Sequence, residues 1–280
     1  MAKFKGLKED VMKRIKSHVL SVVLPAIFLF APQVVFGHLV WINATDYTPT
    51  FYERLGARTK VYFGYGHKYP VHDFIKAEHL TEFRCNSSEN KGEDLKPGSG
   101  GFLATLIELK KPGTYLVSAA VKPGFYTMYM DKGKVRHKIG PMTGIEGVIT
   151  SLYHERYAKA LINVGKTDDA FFSIPLGHKA EIIPMQNPAK LRTGDFLDLK
   201  VLFDGKPARY FKVYATYSGF STDDDFAYAT GTNAKGMTRI RLLHHGPWLV
   251  KADIKMPAPA ELKDKCMQVH YTATLTFEVE

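Results

Sequence analysis

The chain has 280 residues, 45% of them hydrophobic and 24% charged, with a formal net charge of +10. That balance belongs to a folded globular chain and excludes a disordered or multispanning membrane protein. Residues Met1 to Ser17 hold six basic side chains against Glu9 and Asp10, so four of the ten net charges sit there. The other basic residues are scattered, which argues against a nucleic-acid surface.

After this basic stretch comes Val19 to Phe30, without a charged side chain. Basic followed by apolar is the order of a secretory signal. Val35 and Gly37 occupy the positions three and one before a cut, so cleavage after Gly37 makes His38 the first residue of an exported, periplasmic chain. The alternative is an uncleaved inner-membrane anchor. Val19 to Phe36 approaches the roughly 20 residues of a span, although Pro25, Pro32 and Gln33 interrupt it. The chain beyond Gly37 is long enough for one large or two small domains. Its two cysteines, Cys85 and Cys266, are either a disulfide or two separate thiols.

Strand patterns dominate the exported part. Thr59 to His67 alternates Val61, Phe63, Tyr65 and His67 on one face with Gly64 and Gly66 on the other. Gly101 to Val121 predicts a hairpin turned at Lys111-Pro112-Gly113. Glu146 to Val164 mixes helical spacing with β-branched and aromatic residues, and its second half is assigned to a strand. From Glu181 a Pro-punctuated linker leads into Phe196 to Phe203 and an Asp204-Gly205 turn. A further turn at Thr232 to Gly236 precedes Met237 to Leu243, and Trp248 to Ile254 follows. Tyr115, Phe125, Trp248 and Phe277 are the expected core aromatics. The fold class is therefore all-β: an N-terminal β-rich, sandwich-like domain over 38–184, then an immunoglobulin-like β-sandwich over 185–280.

The motifs HLVWIN, KVYFGYGHKYP, KPGTYLVSAAVKPGFYT, YAKALINVG, LGHKAEIIPMQNP, TGDFLDLKVLFDGKPA, TNAKGMTRIRLLHHGPWLVKA and YTATLTFEV occur in this order from His38 to Val279. In this the chain resembles the bacterial periplasmic NikM-like or CbiK-like component of nickel and cobalt uptake. The resemblance implies an exported β-sandwich protein that handles a transition metal, nickel or cobalt, beside an inner-membrane metal transporter.

The residues support metal chemistry on their own terms. A histidine at a free amino terminus offers its α-amine and its imidazole Nδ1 in one chelate ring, and one further imidazole completes a planar three-nitrogen set. Tetragonal nitrogen coordination suits Cu(II) or Ni(II). The candidates to join His38 are His67, His72 and His79, with Asp73 and Glu78 as oxygen donors. His67 is preferred, because it ends a strand and belongs to the Gly66-His67 pair of the resemblance. His244 and His245, read as neighbours on a strand, point to opposite faces. Asp223 to Asp225 lack the glycine and distal glutamate of an EF-hand loop and are read as a solvated loop. His137 lies among basic residues, His178 is read as structural, and His270 is a secondary option.

No G-x-S-x-G elbow, HExxH helix or glycine-rich phosphate loop occurs, so no enzyme is expected. Two alternatives remain. One is a copper protein with the amino-terminal histidine site, either a carrier or an oxidative polysaccharide-active enzyme. The other is a structural or carbohydrate-adhering module. Membrane contact is expected only through the leader, if it is retained.

Overall fold

Alternation between buried and exposed positions, as at Ala57, Thr59, Val61 and Phe63 against Arg58 and Lys60, writes most of this chain as strands. The structure, a computed structural model, describes residues 38–90, 92–165 and 170–280. The expected leader, with its cleavage context, lies outside the described residues. In chain order the first strands are β1 (Leu39–Ala44), β2 (Ala57–Gly66), β3 (Leu80–Ser87), β4 (Glu93–Asp94) and β5 (Thr105–Leu109). Next come β6 (Gly113–Asp131), β7 (Lys134–Ile139), β8 (Val148–Val164), β9 (Ala180–Pro184) and β10 (Phe196–Phe203). The last are β11 (Lys206–Pro207), β12 (Lys212–Tyr217), β13 (Tyr228–Gly231), β14 (Met237–Arg241), β15 (Gly246–Pro257) and β16 (Gln268–Val279). Among the described residues no helix is long and apolar enough to cross a membrane.

These strands form three sheets. The largest has the order β13-β12-β15-β16-β8-β6-β3-β4, with β7 beside β6. A three-stranded sheet, β1-β2-β5, covers one of its faces, and β11-β10-β14 with β9 covers the other. The chain is thus all-β and sandwich-like, with the large sheet shared between two cores. Its β8 shows why: Ala158, Ala160, Ile162 and Val164 enter the core containing Val40, Ile42 and Phe63, while Leu161 enters the core containing Ile182, Leu199 and Trp248. Trp248 and Phe277 are fully buried as expected, whereas Tyr115 and Phe125 are partly buried at the edges of the two cores.

The sharing of one sheet alters the expected division near Pro184. Residues His38–Glu280 form a single compact unit. Strand β16 from the second half pairs in parallel with β8 from the first, from Gln268–Leu152 to Thr276–Ala160. The stretch expected to be a linker is the buried strand β9, paired with β10 from Ala180–Phe203 to Pro184–Leu199. Pro184 falls at the strand's last position, where its missing N–H costs least.

Two expected turns form in place, but one lacks the pairing assumed for it. The backbone does reverse before Gly113, yet β5 pairs with β2 in the small sheet and β6 with β3 and β8 in the large one. Turn chemistry specifies reversal and leaves the partner open. Asp204-Gly205 makes the hairpin expected of it, with φ of 48° and 70° and Phe203 opposite Lys206. The two cysteines lie in different cores as free thiols, so no disulfide forms, and burial pushes the Cys85 thiol up to about 12.

Candidate metal centre

Strand β1 is the edge of the small sheet, and its outer carbonyls need partners away from β2. The hydroxyl of Thr274 donates to the Val40 carbonyl at 2.8 Å, and that of Thr276 donates to Ile42. Strand β1 therefore runs in step with β16. Continuing the register by two residues places His38 over Thr272, whose partner on β8 is Arg156 and on β15 is Asp253.

The antiparallel pair β1-β2 sets Leu39 opposite Gly66, so His38 and His67 leave the sheet side by side. Their ring centroids are 4.8 Å apart, and the Tyr65 ring meets His38 edge-on at 4.9 Å. An imidazole bound at ~2.0–2.1 Å puts its centroid about 3.1 Å from the ion, so two ligands of one ion have centroids roughly 4.4 to 6.3 Å apart for angles of 90° to 180°. The observed spacing lies in that range. The two glycines of β2 make the approach possible. A Cβ on Gly64 would stand 2.1 Å from the Trp41 ring, and one on Gly66, where φ is +120°, would stand 2.3 Å from His72 Nδ1.

The loop from His67 to His72 is clamped at several points. Trp41 Nε1 and Asn43 Nδ2 donate to the Pro70 carbonyl at 2.9 and 3.0 Å, beside a cis Tyr69-Pro70 bond. Asp73 N–H donates to Tyr65 O at 2.8 Å, and Tyr69 packs with Trp41, Leu39 and Leu249. Lys68 Nζ reaches Asp223 Oδ1 at 2.9 Å, which ties the exposed Asp223 loop to the rim.

His72 stands in a different role from the one expected of it. Its Nδ1 accepts the His67 backbone N–H at 2.9 Å, so in the neutral ring the proton sits on Nε2 and no lone pair faces outward. It holds the backbone of His67, with ring centroids 6.1 Å apart. His79 ends the short turn Ala77–His79 as an exposed residue, and among the described residues no hydrogen bond or ring contact joins it to the other imidazoles. Glu78 pairs with Lys76 at 3.8 Å, and Asp73 Oδ1 accepts the Phe74 N–H. Among the described residues no three His, Cys, Asp or Glu side chains form a ready-made ligand group. A set of His38 and His67 therefore needs the α-amine that processing would free.

Burial is the main cause that lowers the His38 pKa, followed by His67 and Arg156, with Asp73 opposing. Burial also leads at His67, where Asp224 opposes and His72, Lys251 and Arg156 add. Both rings are thus held neutral at pH 7, the form that ligates.

Beneath His38 the large sheet presents residues that sequence reasoning passed over. Arg156 is only 8% exposed, and among the described residues its guanidinium makes no hydrogen bond or ion pair. His154 lies next to His270 across β8 and β16, and its Nδ1 is buried without a partner. Burial, with Arg156 and His270 adding, pulls its pKa down to about 3. His270 donates to Asp253, and that bond with Lys251 and Lys255 holds the Asp253 carboxyl well below its ordinary value despite burial. The available signal was period two: His154 and Arg156 share a face with Ala158 and Ala160 once the whole segment is read as strand.

Among the described residues, the other histidines are engaged within the fold. His178 Nε2 meets Glu82 at 2.8 Å and stacks on Tyr157, and His137 meets the Tyr126 hydroxyl. His244 and His245 lie in the turn before β15 and not on a strand, so their rings stack at 4.3 Å instead of diverging.

A comparison with curated proteins finds no match. Among solved structures, the chain is similar to the D00-D0 domain of Intimin at 11% identity, over 85% of this chain and 99% of that one, with a TM-score of 0.20. At that TM-score the likeness carries no weight for the fold, which rests on the strand pairing described above. A family model described as Domain of unknown function (DUF4198) matches residues 35–256, and the chain belongs to that family.

Proposed function

We propose that this is a periplasmic, transition-metal-binding accessory protein that holds its ion through the His38 α-amine, His38 Nδ1 and His67. The observation that carries this reading is the His38–His67 pair at 4.8 Å, at the residue that cleavage after Gly37 would make the amino terminus. Neutral rings and a loop fixed by Trp41, Asn43 and His72 favour binding without large rearrangement. The resemblance to the NikM-like or CbiK-like component points to nickel or cobalt as cargo and to an inner-membrane metal transporter as partner. The three-nitrogen donor set suits copper as well.

Divalent copper outbinds nickel and cobalt at almost any nitrogen site, so affinity does not name the biological metal. Metal content does. A strain lacking the protein, grown under limitation of each metal in turn, is expected to hold less nickel or cobalt than its parent; a fall in copper alone would reassign the cargo. Unchanged content of all three would remove the uptake role.

A further inference from the structure

A largely buried arginine that no carboxylate pairs must be satisfied by solvent or by a ligand from solution. Arg156 is in that position, and the register of β1 on β16 and of β16 on β8 places it directly beside His38. Among the described residues the Tyr65 phenol interacts favourably with it, while the carboxylates of this face are engaged elsewhere. Asp253 is engaged by His270, Lys251 and Lys255, and Asp73 accepts a backbone N–H of its own loop. Asp224 acts on His67 and Lys251. A divalent ion held by two neutral imidazoles and an amine would add two positive charges next to that guanidinium. An anion from outside the chain would offset this charge further than Asp73 and Asp224 do from within it.

We propose that the floor beneath His38 is a carboxylate site centred on Arg156, so that the ion is held as a complex with a small organic carboxylate that ligates it on its open side. The planar fork of Arg156 suits a carboxylate bidentately, and its few exposed atoms give access from solution. His154, two residues along the same strand face, is held neutral by burial and adds no competing positive charge beside Arg156. Three nitrogens leave a tetragonal ion one position in the plane, which a carboxylate oxygen fills. The inference rests on the metal reading above, and it makes the cargo a metal chelate rather than a hydrated ion.

The test uses the exported protein beginning at His38, with nickel(II) and citrate as probes, read by native mass spectrometry and equilibrium dialysis. One citrate retained per bound nickel is the expected result. In Arg156→Gln the apparent citrate affinity is expected to fall at least tenfold, and Arg156→Lys to recover part of it, with circular dichroism confirming that each variant folds. Nickel bound without citrate in the unmodified protein would overturn the carboxylate site while leaving the metal centre standing. Failure to bind nickel at all would sink both. Unchanged citrate retention in a folded Arg156→Gln protein would also refute the assignment.

Discussion

At the scale of single residues, His72 separates positioning from ligation. Because its Nδ1 accepts the His67 N–H, a side chain with an acceptor at similar reach should preserve much of the site. His72→Asn is expected to weaken metal binding less than threefold, and His72→Ala about tenfold or more, through a loosened His67. Equal losses in the two variants, measured by competition with a chromophoric chelator, would mean that His72 is itself a ligand. His154 provides a second handle. Its folded pKa is depressed from 6.5 to about 3, so between those values the unfolded chain binds the extra proton and stability falls as pH falls. At about 1.4 kcal/mol per pKa unit this amounts to roughly 3–5 kcal/mol at the acid end. Urea midpoints at pH 7 and pH 4 should therefore differ less in His154→Asn than in the parent, and an identical pH dependence would contradict the assignment. That His38 and His67 come together was legible in the sequence, because the end of an apolar run and a strand end are strong local signals. Arg156 was not, since a lone arginine in an ambiguous segment looks the same whether paired or orphaned.

Between elements, the threonine contacts of β16 hold β1 and hence His38. Thr274 and Thr276 satisfy two carbonyls on an edge strand that has no neighbour on that side. Valine has nearly the same shape and cannot donate, so Thr274→Val with Thr276→Val leaves both carbonyls buried and unpaired. Each orphan costs ~1–3 kcal/mol. The double variant is expected to lose about 2–6 kcal/mol in denaturant unfolding, whereas a loss below roughly 0.5 kcal/mol would show that the hydroxyls do not anchor β1. The same scale explains where sequence reading stopped. Alternation identified β2 and β10, and Asp204-Gly205 identified a hairpin, because these depend on neighbours in the chain. That Gly113 begins a strand of a different sheet depends on β3 and β8, tens of residues away.

The whole molecule follows from β8 and β16. Their parallel pairing, and the burial of β8 on both faces, make two cores out of one sheet. Neither half keeps its sheet intact alone. The chain from His38 onward is expected to unfold in one transition, with tryptophan fluorescence and far-ultraviolet circular dichroism coinciding, since Trp41 and Trp248 lie in opposite halves of the sequence. Two resolved transitions would restore the separate domains expected from the sequence. The all-β class was visible in composition and period; the shared sheet was not, because long-range pairing leaves no mark on local pattern.

The most direct measurement is the affinity for Cu(II) or Ni(II) of protein starting at His38, beside protein carrying one additional glycine before it. With His38 first, affinity should be high and rise through the ~7.7–8.0 range where an α-amine titrates, because burial already keeps both imidazoles neutral. The added residue converts the His38 nitrogen to a peptide amide, and affinity should fall at least a hundredfold. Equal affinities, or the same pH dependence in both proteins, would contradict the amino-terminal metal centre.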